Sequence, residues 1–343
     1  RLAVAASASK SARSSWSARP TGRILPRRRQ KPSGAGRAPK KRLSRPPSGV
    51  ILQRMLAALK ILADVAIFRL KKLEMANMFA AAAIMFALAL PYEDMAVRFG
   101  FGLLLNLLAY LTNDYYDVDQ DLSSPNKDHR KARYLKAHMG AAVGVQIFLA
   151  LFLAAVALAW SPGLLAPLVL GGGICWVYSW KLKRLPYVDV LAMIVWGVSM
   201  PMVGFPVDSL LGWALVGQLA LFSACFESIQ VIRDHDEDVA TGVRTTAVRL
   251  GVPATRVLLS AFMVLSAAYA ALLLHRYIGL ALLVSLALPL VKEKADVYWN
   301  RQRLILGLVW LALIGWVFWY GETDGWLAQI DRAATIEALD FGH

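Results

Sequence analysis

Two clusters of carboxylates in an otherwise apolar sequence are the residues best suited to chemistry. The first runs from Asn113 to Asp121 and the second from Asp234 to Asp238, and each follows an apolar stretch long enough to cross a bilayer. Ionised carboxylates near hydrocarbon depth are costly and persist only with partners, which are usually cations. Magnesium takes carboxylate oxygens and keeps positions open for water or phosphate oxygens. The clusters therefore predict a magnesium site that binds a diphosphate substrate.

The spacing within each cluster places several polar groups on one helical face. Spacings of three and four residues form a stripe of Asn113, Asp114, Asp117 and Asp121. A second stripe contains Glu227, Gln230, Asp234 and Asp238. A solvated helix end is the alternative interpretation of any single acid, but like charges this close repel unless a cation lies between them. The predicted metal ligands are Asp114, Asp117, Asp121, Asp234 and Asp238.

The charge distribution separates an N-terminal tail from an apolar body. Residues 1–54 contain fifteen Lys or Arg and no Asp or Glu, so they account for the whole formal net charge of +15. This tail is predicted to be disordered. It is interpreted as a transit peptide, as sequence upstream of a start near Met55, or as a basic arm on the membrane surface. A nucleic-acid-binding module built on the tail is not favoured, because it would leave the carboxylates unexplained.

The rest of the chain is predicted to be an all-α, polytopic membrane domain at 55–320, followed by a short acidic tail at 321–343. The chain has 57% hydrophobic residues and a mean hydropathy of +0.49, which is too apolar for an ordinary soluble protein. Ile51–Phe68 is predicted to be an amphipathic helix on the membrane surface. About nine spans are predicted, at 73–92, 96–115, 138–158, 162–180, 187–206, 209–232, 254–274, 277–292 and 302–320.

The loops between the predicted spans indicate an orientation. Lys and Arg are concentrated after the second, fourth, sixth and eighth spans, and cytoplasmic loops carry such an excess. The N-terminus and both acidic clusters are therefore predicted on the cytoplasmic side of a bacterial inner membrane, or of an organelle membrane if the tail is a transit peptide. Phosphates and magnesium are plentiful on that side.

The pattern NDxxDxxxD followed later by DxxxD resembles the UbiA-type superfamily of intramembrane prenyltransferases. The stretch Arg233–Thr246 resembles the family's second motif with its Gly and Thr tail, and Tyr178–Arg184 resembles a Tyr-Ser segment followed by basic residues. Trp196–Met202 is similar to a segment of the 4-hydroxybenzoate branch. The segment Ser124–Lys131 departs from the family, because it lacks the Asn-Arg-Pro stretch of many members. Acceptor specificity is therefore not carried over.

The resemblance implies a helical bundle around a central cavity, with Mg²⁺ as cofactor and an isoprenoid diphosphate as substrate. Loss of the diphosphate would leave an allylic cation, which a cavity in the membrane shields from water. Aromatic faces could stabilise that cation, with Tyr115, Tyr116, Trp176, Tyr178 and Trp196 as candidates. The residues expected to bind the diphosphate are Asn113, Tyr178, Lys181, Lys183, Arg184, Gln230 and Arg233.

The predicted reaction is magnesium-dependent prenyl transfer to a lipophilic acceptor, with an aromatic quinone precursor favoured. An aromatic acceptor must finally lose a proton, and Asp236 and Asp189 are the predicted bases. A porphyrin-type ring and a glycerol phosphate lipid are alternative acceptors. A divalent-cation transporter is the alternative from another functional class, since acids within membrane spans also line ion pathways.

Overall fold

Helices form nearly all of the structure, a computed structural model that describes residues 48–71, 76–123 and 129–332. The β-type contacts within these ranges are isolated bridges, His275 with Asp324 and Glu322 with Asp331. The all-α prediction is therefore confirmed. In chain order the helices are α1 (Ser48–Lys71), α2 (Ala76–Ala87), α3 (Tyr92–Ser123), α4 (His129–Ala137), α5 (Met139–Trp160), α6 (Leu165–Trp180), α7 (Val188–Ser199), α8 (Leu210–Arg233), α9 (His235–Thr241), α10 (Thr246–Leu250), α11 (Val252–Tyr269), α12 (Arg276–Ala281) and α13 (Ala295–Tyr320).

Six helical segments of the described chain are long and apolar enough to cross a membrane. They are Tyr92–Ser123, Met139–Trp160, Pro162–Trp180, Leu210–Arg233, Val252–Leu274 and Lys292–Tyr320. The first, fifth and eighth predicted spans correspond to shorter apolar helices at Asn77–Ala87, Val188–Gly204 and Arg276–Ala287. An integral membrane protein is supported, while the count of nine stays a prediction.

The shorter segments are interrupted where the backbone leaves α-helical geometry. After α7 the chain continues as a 3-10 turn that begins at Pro201, and proline cannot donate a helical backbone hydrogen bond. After α11 a π-turn at Ala270–Leu274 is followed by His275 in an extended conformation. The His275 side chain then caps α12 by accepting hydrogen bonds from the amides of Tyr277 and Ile278.

Helix α8 is the most buried of the six candidate spans and packs against α7, α11 and α13. Helix α3 packs against α5 and α6, and α6 packs against α7. The two helices that carry the acidic clusters, α3 and α8, are thus connected through α6 and α7. The C-terminal end of α6 therefore lies where both clusters can be reached.

The predicted amphipathic segment forms a single helix, α1, that packs on α3, α4 and α5. Ala57, Ile61 and Val65 are buried at four-residue spacing, whereas Leu52 and Leu59 are exposed on another face. A helix with two apolar faces suits a position between the bundle and lipid. Its place at the membrane surface stays a prediction.

Residues 321–332, which begin the predicted acidic tail, fold back onto the π-turn that follows α11. The amides of Asp324 and Trp326 donate to the carbonyls of Leu274 and Ala271, which helix termination leaves without intrahelical partners. A Cβ atom on Gly325 would lie 2.2 Å from the carbonyl oxygen of Leu272, so only glycine fits this close approach. Predictions for residues 1–47, 124–128 and 333–343 lie outside the described residues.

Candidate functional site

The acidic cluster on α3 faces the C-terminal end of α6. Ser179 Oγ donates to Asn113 Oδ1 at 3.3 Å, and Lys183 Nζ donates to Asp117 Oδ1. One turn earlier, Cys175 Sγ donates to the carbonyl oxygen of Ala109 at 3.1 Å. Each pair is separated by 66 residues, so α3 and α6 run in the same direction in register. Their polar ends therefore meet at one end of the bundle.

Asp114, which was predicted as a metal ligand, turns away from this face. Its two carboxylate oxygens accept from Arg69 Nη2 at 2.7 Å and from Lys131 Nζ at 2.6 Å. These cations belong to α1 and α4, and the Asp114 side chain is only 6% exposed. Because both oxygens are bound by side chains on another face of α3, we leave Asp114 out of the candidate metal site.

The last turn of α3 carries two further acids in different environments. Asp121 lies half-buried one turn after Asp117 on the predicted stripe. Asp119 is 77% exposed and pairs with Lys136 Nζ at 2.9 Å. Asp119 is therefore a natural control for substitutions on the stripe.

The second acidic cluster begins where α8 ends. Asp234 joins α8 to α9 with φ −87° and ψ 0°, and its carboxylate accepts from the adjacent Arg233 at 2.7 and 3.0 Å. Arg233 also contacts Asp296 Oδ1 at 3.4 Å. Gln230 is half-buried one turn before Asp234. The predicted diphosphate ligand Arg233 is thus already paired with a predicted metal ligand.

A tight turn after α9 brings a hydroxyl to Asp238. Gly242 ends α9 with φ +73°, a conformation that glycine adopts readily, and the amide of Val243 donates to the carbonyl of Asp238. Thr245 Oγ1 then donates to Asp238 Oδ2 at 3.1 Å. Burial, together with nearby carboxylates that include Asp234, raises the pKa of Asp238 to about 6. A carboxyl group in such surroundings favours a bound cation.

Asp189, one predicted base, is buried and already bound by several donors. Its carboxylate accepts from the amide of Thr246 at 2.7 Å, from the Thr246 hydroxyl, and from the amide of Val190 at 2.9 Å. The amide of Tyr187 in turn donates to the Thr246 hydroxyl. This geometry favours a structural role for Asp189, joining α7 to the start of α10, over the predicted role of base.

Asp236, the other predicted base, lies on the surface of α9. Its side chain is 80% exposed and pairs with Lys292 Nζ at 2.5 Å and with His235 Nδ1 at 3.0 Å. The Lys292 ammonium, followed by His235, lowers the pKa of Asp236 below its usual value. A lowered pKa weakens a proton acceptor, so this geometry favours a solvated ion pair over a base.

A hydrogen bond between α6 and α8 connects the surroundings of the two clusters. The hydroxyl of Tyr178 donates to Glu227 Oε1 at 3.2 Å. Glu227 is 3% exposed and lies two turns before Asp234 on α8. Tyr178 precedes Ser179, the partner of Asn113, so one short segment of α6 contacts both acidic helices. Lys181 and Arg184, also predicted to bind the diphosphate, are exposed beside this segment.

This helical arrangement matches a known protein family. The family model described as the UbiA prenyltransferase family matches residues 75–303. The chain belongs to this family.

Solved structures have the same fold as this UbiA-family chain. A digeranylgeranylglyceryl phosphate synthase is 16% identical with a TM-score of 0.61, covering 78% of this chain and 99% of its own. A UbiA homologue from Archaeoglobus fulgidus bound to DMAPP and Mg²⁺ is 15% identical with a TM-score of 0.52, covering 76% and 98%. A UbiA homologue from the same organism bound to GPP and Mg²⁺ is 16% identical with a TM-score of 0.50, covering 76% and 98%. None of the curated protein sequences is a significant match.

The polar residues of the two clusters in this UbiA-family chain have the donor chemistry that Mg²⁺ requires. Asn113, Asp117, Asp121, Asp234 and Asp238 supply hard oxygen atoms, the ligands that Mg²⁺ prefers. No three acidic, His or Cys side chains of the described residues are close enough to hold a metal in the present arrangement. Asp117 is instead satisfied by the ammonium of Lys183. The residues fit a cation, and metal binding at Asp117 requires Lys183 to move.

The structure adds residues that the sequence patterns did not select for the site. Thr245 and Ser179 contact predicted ligands through their hydroxyls, and both lie in segments that carry the family resemblance, although neither was selected as a site residue. Glu227 lies on the predicted stripe but was not chosen, although an ionisable residue inside an apolar span is itself a functional signal.

A cavity lies between α3 and α5, away from both acidic clusters. Its volume is about 360 Å³, and its apolar lining includes Gly100, Leu104 and Phe152. Leu104 precedes Asn113 by nine residues, or roughly 13 Å along a helix. This cavity is therefore not the substrate cavity predicted between the clusters, which stays a prediction.

Proposed function

We propose that this chain transfers a prenyl group from an isoprenoid diphosphate to a lipophilic, aromatic acceptor within the membrane, with Mg²⁺ as cofactor. The observation that carries the proposal is the segment Tyr178–Lys183. It contacts Asn113 and Asp117 on one side and Glu227 on the other. A single short segment between two acidic helices supports one shared site for both motifs.

The metal would be held by Asn113, Asp117, Asp121, Asp234 and Asp238. When bound, Mg²⁺ would neutralise the diphosphate and improve it as a leaving group. The similar Archaeoglobus fulgidus homologue is described as bound to DMAPP and Mg²⁺, which supports this chemistry. The same helix ends lie on the side where the loops are rich in Lys and Arg, which supports a cytoplasmic position for the site.

Lys183 is the leading candidate to bind the diphosphate. Its side chain is 16% exposed and already reaches into the cluster on α3. A phosphate oxygen can replace Asp117 as its partner once a metal neutralises that carboxylate. Lys181, Arg184, Gln230 and Arg233 are further candidates, and Arg233 would have to leave Asp234.

Glu227 is the group that we propose as the base, in preference to Asp236 and Asp189. The bond between the prenyl carbon and the diphosphate oxygen breaks, a bond to the acceptor forms, and the acceptor's proton is taken up by a carboxylate. Glu227 is buried and, among the residues that the structure describes, accepts one hydrogen bond, from Tyr178 to Oε1, which leaves Oε2 available. The buried position keeps water away from an allylic cation.

Radiolabelled geranyl, farnesyl and longer diphosphates should be offered to the purified protein in membranes with Mg²⁺ or with a chelator. The acceptor panel should contain an aromatic quinone precursor, a porphyrin-type ring and a glycerol phosphate lipid. We expect magnesium-dependent labelling of the aromatic acceptor, lost in Asp117→Asn and kept in Asp119→Asn. Labelling of another acceptor would redirect the proposal. If folded wild type neither binds nor consumes a prenyl diphosphate, the proposal is wrong and divalent-cation transport should be measured.

The role of Glu227 is tested by Glu227→Gln, which keeps the shape and removes the proton acceptor. Loss of a general base reduces the rate by about 10²- to 10⁴-fold. We expect such a loss in kcat with metal affinity unchanged, and a much smaller loss in Tyr178→Phe. An equally large loss of Mn²⁺ affinity in Glu227→Gln would instead indicate that Glu227 is a metal ligand.

A further inference from the structure

The acidic cluster on α3 has a second face whose partners are unlike those of the metal face. Asn113 contacts α6 and Asp117 contacts Lys183 in the turn that follows α6, whereas Asp114 contacts α1 and α4. Three helices are therefore joined through one carboxylate. The metal stripe and this junction share the same turn of α3.

The junction is a buried ion triad. The side chains of Asp114, Arg69 and Lys131 are 6%, 12% and 14% exposed, and each cation donates to a different carboxylate oxygen. Charges held away from water require several stabilising contacts. Aromatic faces supply part of them, since Arg69 lies 4.4 Å from the ring centre of Tyr110 and Lys131 lies 4.3 Å from that of Phe68.

The aromatic residues of this network lie on the same helices as the charged residues, close to them in sequence. Phe68 is adjacent to Arg69 on α1, and Tyr110 is one turn before Asp114 on α3. Each partner thus occupies a position set by another member of the network. Such mutual packing fixes the rotation of α3 about its own axis. The same rotation sets where Asp117 and Asp121 point, one and two turns later.

We infer that Asp114 is a positioning residue, which with Arg69 and Lys131 orients the metal-binding face of α3. This inference rests on the proposed function of that face. Helix α1 then contributes to metal and substrate affinity without contacting either. Metal ligands need this support because small displacements of carboxylates weaken a site, and outer partners are worth about 10- to 100-fold in metal affinity.

The test is the affinity of the full chain for Mn²⁺ in the absence of substrate, measured by electron paramagnetic resonance. Asp114→Asn and Arg69→Gln should each weaken Mn²⁺ binding about tenfold, and the double variant should be no weaker than the worse single one. Arg69→Lys should restore most of the affinity, since it keeps a cation for Asp114. Asp119→Asn is the matched control, because it removes the exposed α3 to α4 pair with Lys136.

Two results would overturn the inference. If Asp114→Asn weakens Mn²⁺ binding and Arg69→Gln does not, Asp114 is a direct ligand. If both variants bind Mn²⁺ like wild type, the triad does not orient the site. Should Asp114→Asn fail to fold, Lys131→Met leaves the neutral pair of Asp114 and Arg69 intact and must also weaken binding. Failure of the proposed function is distinguished by wild type that does not use prenyl diphosphates at all.

Discussion

The acidic cluster on α3 lies within one continuous helix, whereas the second cluster lies at the break between α8 and α9. The cations of the first come from distant parts of the chain: Arg69, Lys131 and Lys183. In the second, Asp234 is paired with its own neighbour, Arg233, and Asp238 with the nearby Thr245, although the exposed Asp236 pairs with Lys292 from farther along the chain. The first cluster is therefore organised by assembly of the bundle, and the two predicted metal ligands of the second by local turns.

This difference has a consequence for function. Helix α3 is continuous through its acidic residues and packs against α1, α4 and α6, so its orientation depends on the bundle. The turn after α8 is short and partly exposed, so the position of Asp234 depends mainly on that turn. Substitutions in distant helices should therefore affect the first set of carboxylates more than the second.

The largest expected effect comes from removing one carboxylate from either cluster. If both serve one metal site, Asp117→Asn and Asp234→Asn should each reduce prenyl transfer by about 10²- to 10³-fold, as expected for loss of electrostatic stabilisation of a leaving group. Initial rates over a Mg²⁺ titration provide the measurement. The double variant should be hardly slower than either single one.

Fully additive losses would separate the two clusters into independent sites. A large loss from only one substitution would assign the metal to that cluster alone. Either outcome would remove the basis for a shared site at the Tyr178–Lys183 segment.

A second prediction concerns the cation that now binds Asp117. Lys183→Met should raise the affinity for Mn²⁺ alone, because the metal no longer displaces an ammonium from the carboxylate. The same variant should lower the affinity for a prenyl diphosphate by about 10- to 100-fold, since a charge-assisted hydrogen bond is lost. Calorimetric titrations with each ligand measure both. Lys136→Met removes an exposed ammonium that pairs with Asp119, off the metal stripe, and should change neither. Changes in the same direction for metal and diphosphate would contradict this role.

Much of this arrangement follows from sequence patterns, and the exceptions have physical causes. Spacing of three and four residues predicted that Asn113 and Asp117 share a face, and both contact the C-terminal end of α6 or the turn that follows it. The same spacing also admitted Asp114, because a helical stripe is broad. Only the packing of α1 and α4 turns Asp114 to the other side.

Hydropathy identified the apolar segments but not their interruptions. The break at His275 depends on a side-chain cap and on a π-turn, and neither has a hydropathy signal. The contact between Arg276 and Asp324 links residues far apart in the chain, so the acidic segment was interpreted as a tail. Long-range partners of this kind are decided by tertiary packing.

A third prediction tests the locally organised cluster. Thr245→Val removes the hydroxyl that donates to Asp238 while keeping the side-chain volume. Loss of a hydrogen bond that orients a metal ligand should weaken Mn²⁺ affinity by about tenfold. Thr241→Val is the control, because that hydroxyl donates to backbone carbonyls of its own helix. Equal effects of the two variants would show that helix packing, and not the orientation of Asp238, sets the affinity.

The smallest expected effect distinguishes the proposed base from the residue that sequence reasoning selected. Asp236 is exposed and paired with Lys292 on the surface of α9, so Asp236→Asn should change kcat by no more than about twofold, as for other surface substitutions. A general base at this position would instead cost about 10²- to 10⁴-fold. Single-turnover transfer rates at saturating Mg²⁺ separate these values clearly. A loss as large as that in Glu227→Gln would return the proton-accepting role to the exposed cluster, and the buried contact between Tyr178 and Glu227 would then be structural.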